Sequence, residues 1–454
     1  RAPYTTEQIV KIYDYLHELG GPNGMIRASE FFLYSKKDRD AVEKCLEKGY
    51  QFPEVTSWIR ANKKDFQLVK DMGLKETGIL VSCSDYHIFL KLKMTRRQAM
   101  DHYLSVIRDC LEEGISPRCH LEDITRADFY GFVVPFCSEL MKLMDEYKIP
   151  IKIRACDTMG YGVNYPGAVI PRSIPGIIYG LRVHAGVPSE LIEFHGHNDF
   201  YKAVNNSTTS WLYGACGVNC SLFGIGERTG NTPLEAMVFE YAQLRGNLGG
   251  MDTTVITELA EYYEKEIGYH IPERTPFVGK NFNVTRAGIH ADGLLKNEEI
   301  YNIFDTEKFL NRPVRVAVSN TSGLAGIAHW MNSYYHLRVE DKIDKNAPLV
   351  VRVKRNFLLL GFSKLLPYST SCFTTSQFIR GSPPKKSTSR FTRLPELATR
   401  KSSAFFPTSK LISALLPWYS PSSAKQYLQA RLQSWAMCRH SALTTVWRFL
   451  KSKI

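Results

Sequence analysis

Two histidines one residue apart, His195 and His197, sit in the densest polar run of the chain, Glu193-Phe194-His195-Gly196-His197-Asn198-Asp199. At the end of a β-strand, residues i and i+2 point to the same face, so both imidazoles can offer a nitrogen to one cation or pack as a structural pair. A second polar run, GIGERTGN at Gly224–Asn231, follows the next apolar stretch. Two further runs have the same character: Arg118, His120, Glu122 and Asp123 close one predicted strand, and Arg154, Asp157 and Thr158 close another. Each alone reads as a helix cap or a Gly-rich loop. Four polar strand ends in series read as one catalytic rim, because parallel barrels gather their reactive groups at the C-terminal ends of their strands.

The elements that must carry this rim alternate in type. Thr5 opens a capping box with Gln8, and Ile9, Ile12, Leu16 and Leu19 recur at helical spacing until Gly20-Gly21 stops the segment. Strands are predicted near Met25–Leu33, Glu54–Trp58, Gly78–Ser82, Ser116–Leu121, Ile151–Ala155, Leu191–His195 and Val218–Leu222. Helical patterns lie between them, among them Thr95–Glu113, Phe132–Tyr147, Tyr201–Tyr213 and Pro233–Leu244. The expected fold class is therefore α/β, a (β/α)8 TIM barrel lacking its first strand, with a leading helix that has no strand before it. A doubly wound sheet is the rival, disfavoured because no Gly-rich phosphate turn follows an early strand. Residues 1–250 are expected to form the barrel and 251–346 a small, mostly helical accessory subdomain containing Thr254–Gly268 and Leu324–Tyr335. Residues 347–454 are expected to be a basic Ser/Thr-rich tail, disordered or aberrant.

The formal net charge of +13 suggests nucleic acid until its location is read. From Arg352 onward there are 18 Lys and Arg against one acid, Glu396, leaving 40 bases and 44 acids before it. The presumptive catalytic part is mildly acidic, so nucleic acid is not expected as a partner. Ten cysteines without a close CxxC pair, the nearest being Cys216 and Cys220 in what reads as a buried strand, suit reduced thiols. No apolar run approaches the roughly 20 residues a membrane span needs, and a cytoplasmic protein is expected.

Five motifs then carry a resemblance: HGHND at His195–Asp199, GIGERTGN at Gly224–Asn231, LEDITRAD at Leu121–Asp128, CDTMGYG at Cys156–Gly162 and AGIHADGLLKN at Ala287–Asn297. Together they make residues 1 to 346 resemble the 2-isopropylmalate synthase, homocitrate synthase and Re-type citrate synthase family. The resemblance implies a divalent metal (Mg, Mn or Zn) on His195, His197 and Asn231, with acetyl-CoA and a 2-oxo acid as substrates. It implies Glu122 and His290 as the acid/base pair, His290 reaching the site across a homodimer, and Ser84, His87, His120, Arg154 and Thr158 as substrate contacts. The family's opening strand, ending in Asp-x-x-x-Arg-Asp, has no counterpart here, and Arg1-Ala-Pro matches what normally follows it. The implied reaction is a Claisen condensation followed by thioester hydrolysis. His120 and Arg154 suggest a dicarboxylic oxo acid. A related aldol or retro-Claisen lyase and a non-catalytic remnant are the alternatives. An amidohydrolase fits less well, since its HxH belongs on the first strand.

Overall fold

The computed structural model describes residues 4–359, apart from 166, 320, 321 and 338. Helix α1 (Thr6–Gly20) begins as its sequence predicts: Thr5 Oγ1 accepts the Gln8 N–H and the Gln8 side chain accepts the Thr5 N–H. Seven strands and their helices then alternate: β1 (Ala28–Phe31), α2 (Lys36–Glu47), β2 (Glu54–Arg60), α3 (Lys63–Asp71), β3 (Glu76–Ser82), α4 (Arg96–Glu112), β4 (Ser116–Glu122) and α5 (Val134–Tyr147). β5 (Lys152–Asp157), α6 (Ile174–Val183), β6 (Ile192–Gly196), α7 (Ala203–Tyr213), β7 (Gly217–Asn219) and α8 (Leu234–Arg245) complete the series. All seven strands are parallel and pair in chain order.

The sheet curls strongly. In a flat sheet β1 and β5 would lie about 19 Å apart, four strand spacings. Yet Arg154 Nη1 on β5 is 2.8 Å from Glu30 Oε2 on β1, so the two strands face each other across an interior. Among the described residues no ladder joins β7 back to β1. The helices cover the outside of the curl. Ile79, Val81, Cys119, Leu121, Ile153, Ala155, Ile192 and Phe194 point outward into one apolar core with the helices.

Their neighbours in sequence point inward, and many of them are polar or charged. Strand pairing places Ser82, Glu122, Cys156, His195 and Asn219 in one row, and Leu80, His120, Arg154, Glu193 and Gly217 in the row beneath. Below the rim Arg118 pairs with Glu30, Glu76 and Glu193, Arg154 with Glu30 and Glu193, and Lys152 with Glu76. Three cations and three carboxylates thus fill space that bulky aliphatics fill in an ordinary barrel. Gly78 makes room for them: a Cβ there would lie 2.6 Å from both Glu30 Oε1 and His120 Nε2.

After α8, helix α9 (Val255–Lys265) packs Val255, Ile256 and Leu259 against Leu19, Val238 and Phe239. A short parallel pair, β8 (Val284–Thr285) and β9 (Arg315–Val316), follows with α10 (Gly288–Lys296), α11 (Thr306–Leu310) and α12 (Leu324–Tyr334). Strands of two residues carry no readable alternation, which is why the sequence shows only helices there. The described residues up to 356 form one compact unit. No helix among the described residues is long and apolar enough to cross a membrane.

Three expectations change. The last strand is Gly217–Asn219, ending ahead of Leu222, because Leu222–Gly224 forms a 3-10 turn with Phe223 at φ 56°. Cys216 precedes that strand and is exposed rather than buried. The segment expected to be tail from residue 347 begins as helix α13 (Pro348–Leu359), whose Val350 packs on Ile327, Ala328 and Met331. Its apolar spacing is masked in the sequence by Arg352, Lys354 and Arg355. The remainder of the expected tail lies outside the described residues.

Candidate active site

The paired histidines stand where strand alternation puts them. His195 Nε2 and His197 Nε2 are 3.0 Å apart at the end of β6. His195 Nδ1 donates to Asn219 Oδ1 at 2.6 Å, which leaves its Nε2 as a bare lone pair. Burial, the neighbouring His197 and Arg154 push the His195 imidazole down to about 3, so it stays neutral. Asn231, brought in by an isolated bridge to His197, lies 3.1 Å from His195 Nε2 and 3.5 Å from His197 Nε2.

This set fits a divalent cation. Two nitrogens, each ~2.1 Å from one ion and at right angles, would be ~3.0 Å apart, the separation seen. Asn231 can turn its amide oxygen to the same point, since the two ends of an amide exchange by a flip. Its position is enforced by Gly226, where a Cβ would overlap Asn231 Oδ1. His197 Nδ1 faces Arg228 Nη2 at 3.1 Å, and a guanidinium only donates, so in this arrangement the His197 proton is on Nε2 and must leave for a cation to enter. Arg228 is itself held by Asp199 at 2.8 and 3.0 Å. Among the described residues no third His, Cys, Asp or Glu completes the cluster.

Glu122 ends β4 on the same rim, in the same row as His195. Lys91 Nζ bridges its two oxygens at 3.1 and 3.2 Å, and Ser82 Oγ donates to it. Lys91 and His87 are delivered by a π-helical turn, Tyr86–Lys91, after β3. Thr158 takes the Asp123 N–H on its hydroxyl at 2.8 Å, joining the ends of β4 and β5.

Several expected substrate contacts are otherwise engaged. Ser84 is fully buried and donates to Asp123 Oδ2 at 2.6 Å, so its hydroxyl is closed to substrate here. His87 Nδ1 lies 2.9 Å from Ser84 Oγ. His120 and Arg154 are buried, 3.1 Å from each other, with His120 Nε2 3.2 Å from Glu30. Burial alone would raise the Glu193 carboxyl, but Arg154 and Arg118 outweigh it and hold it at about 2. The positive charge that suggested a dicarboxylic oxo acid is therefore balanced by carboxylates. His290 bonds to Thr285 at 3.3 Å and packs on the Tyr301 ring at 4.3 Å. No described hydrogen bond or ion pair joins it to Glu122. The sequence reading missed Asn219, Lys91, Ser82 and Glu30, because only strand register shows which residues share a row.

A curled parallel sheet with paired imidazoles and a clamped glutamate on one rim is the arrangement of a barrel enzyme. The chain belongs to the HMGL-like family, whose model matches residues 1–262. It is 67% identical over 352 residues to the citrate (Re)-synthase of Clostridium kluyveri, covering 78% of each chain. The citrate (Re)-synthase of Syntrophus aciditrophicus is 56% identical over 355 residues, 78% of this chain and 56% of that one. The 2-phosphinomethylmalate synthase of Streptomyces hygroscopicus is 36% identical over 386 residues, 83% of this chain and 87% of that one.

Proposed function

We propose that this chain condenses the acetyl group of acetyl-CoA with oxaloacetate, as an acyltransferase of the Re-type citrate synthase kind. The observation that carries the reading is the shared rim: His195 and His197 with Nε2 atoms 3.0 Å apart, and Glu122 in the same row of the barrel. The 67% identity to a citrate (Re)-synthase favours oxaloacetate over other 2-oxo acids. His195, His197 and Asn231 would hold a divalent cation, Mg²⁺, Mn²⁺ or Zn²⁺, which when bound supplies Lewis-acid polarisation of the oxo-acid carbonyl.

The chain's own groups do the rest. Glu122, oriented by Ser82 and Lys91, takes a proton from the acetyl methyl. Arg154 and His120, one row beneath, line the floor of the site, where Glu30 and Glu193 already balance their charge. Residues 1–250 carry the cradle and base, and residues 251–346 carry His290, which would reach Glu122 from the second copy of a homodimer. The cysteines described are free thiols, which supports a cytoplasmic setting.

The test is thiol release from acetyl-CoA with oxaloacetate, 2-oxoglutarate, 2-oxoisovalerate or pyruvate, with and without Mn²⁺. It is run on this chain and on one carrying a family-type strand with Asp-x-x-x-Arg-Asp ahead of Arg1. Mn²⁺-dependent release with oxaloacetate supports the proposal. Preference for 2-oxoisovalerate would move the chain to the isopropylmalate branch, and silence in both forms would leave the lyase or non-catalytic alternatives.

A further inference from the structure

Beside Glu122 lies a hydrogen-bond chain that the proposed reaction has not used. Asp123 is fully buried and sits at φ 66°, a left-handed conformation unusual for a residue with a Cβ. Its Oδ2 receives the Ser84 hydroxyl at 2.6 Å, and Arg126 Nε donates to both of its oxygens. Burial pushes the Asp123 carboxyl up, but the hydrogen bonds from His87, Arg126 and Ser84 outweigh it and hold it below the usual range. Asp123 is therefore an acceptor only.

The tautomer of His87 follows from counting protons. Ser84 has one hydroxyl proton and gives it to Asp123, so Ser84 Oγ, 2.9 Å from His87 Nδ1, can only accept there. Asp123 Oδ2, 3.3 Å from the same nitrogen, is a second acceptor. Nδ1 must carry the hydrogen, and the neutral ring then presents the Nε2 lone pair. That nitrogen faces Glu122 Oε1 at 3.7 Å. A lone pair opposite a carboxylate leaves a place for one proton between them, reached by a small rotation or a single water.

The other groups around Glu122 are not free to take a proton. Lys91 and Ser82 donate to it, Tyr103 donates to Ser82 O at 3.1 Å, and Cys83 Sγ donates to Glu122 O at 3.1 Å. Cys156, across the row, has its thiol raised by burial to far above the neutral range. Two unusual backbone features, the π-helical turn that bears His87 and the left-handed Asp123, occur at this one place.

We propose that His87 is a positioning residue that acts through Glu122 as its proton relay, with Asp123 and Ser84 fixing its tautomer. This rests on reading Glu122 as the base. The acetyl C–H bond breaks, its electron pair stays on carbon as the enolate, and the proton forms an O–H bond on Glu122. That O–H bond breaks as an N–H bond forms at His87 Nε2, giving an imidazolium beside Asp123. The enolate carbon forms its C–C bond to the oxo-acid carbonyl carbon, whose C=O π pair moves onto oxygen as an alkoxide. Glu122, again a carboxylate, takes a proton from water as the hydroxyl adds to the thioester carbon and passes that proton to the alkoxide. The C–S bond breaks, and the departing thiolate receives the proton held by His87 by way of Glu122.

The experiment has two arms on the full chain. In the first, two-bond ¹H–¹⁵N correlation on histidine-labelled protein, with His87 assigned by its loss in His87→Gln, is expected to show the Nδ1–H tautomer; the Nε2–H tautomer overturns the inference. In the second, His87→Ala is expected to lower kcat roughly 100-fold with the oxo-acid KM unchanged, and added imidazole to restore part of the rate. A raised KM with unchanged kcat, or a folded variant that imidazole does not rescue, overturns it. If the wild-type chain releases no thiol with any oxo acid, the functional reading fails, while the tautomer measurement still decides this one.

Discussion

Glu235, near the start of α8, offers the sharpest test of the electrostatics. It is 4% exposed, and no ion pair reaches it among the described residues. Its side chain accepts the Phe223 N–H at 3.1 Å, anchoring the turn that opens the Gly224–Asn231 loop. Burial pushes its carboxyl from the ordinary 4.5 up to about 7, and the hydrogen bonds from its own backbone and from Phe223 only partly offset this. Because the folded value is the higher one, the folded state holds this proton more tightly. Below the unfolded value both states are protonated and the group is neutral to stability. As pH rises towards 7 the unfolded chain ionises first, and stability falls. At about 1.4 kcal/mol per unit, the full loss above pH 7 is ~3 kcal/mol. Glu235→Gln keeps the acceptor and removes the charge, so it should match wild type at pH 4.5–5 and exceed it at pH 8. With about 2 cal/mol/K of unfolding entropy per residue over roughly 350 residues, the gain is ~4 °C in Tm. Parallel thermal melts at half-unit pH steps read this directly. A Tm difference between variant and wild type that stays constant from pH 5 to 8 would refute the reasoning.

Asn219→Ala removes the acceptor that fixes the His195 tautomer, and Mn²⁺ affinity measured by calorimetry should fall ~10–100-fold with the melt unchanged. Gly226→Ala forces Asn231 aside and should weaken Mn²⁺ binding while leaving the far-UV spectrum intact; unaltered binding would remove Asn231 from the cradle. Arg118→Met leaves Glu30, Glu76 and Glu193 sharing Arg154 and Lys152, and urea unfolding should show a loss of ~3–5 kcal/mol. An unchanged midpoint would mean that the buried charge layer does not need its central cation.

The sequence alone determined the parts set by local rules. The capping box of Thr5 and Gln8, the alternation of helix and strand, and the i, i+2 placement of His195 and His197 depend only on near neighbours, and each stands as read. The family motifs pointed to Glu122 and Asn231, and the fold brings both to the rim that holds His195. Other features were decided in three dimensions. Asn219 becomes the partner of His195 because β6 and β7 pair in one register, and a slip of two residues would bring another residue beside His195. Glu30 meets Arg154 only because the sheet curls, bringing together residues 124 positions apart in sequence. Arg154, which with His120 suggested a dicarboxylic substrate, is neutralised together with Arg118 by carboxylates contributed from β1, β3 and β6. Nor could spacing show that Ser84 is spent on Asp123, leaving His87 with its lone pair towards Glu122. Strand ends can be read from a pattern of a few residues, whereas the protonation and pairing of a buried group depend on every element that surrounds it.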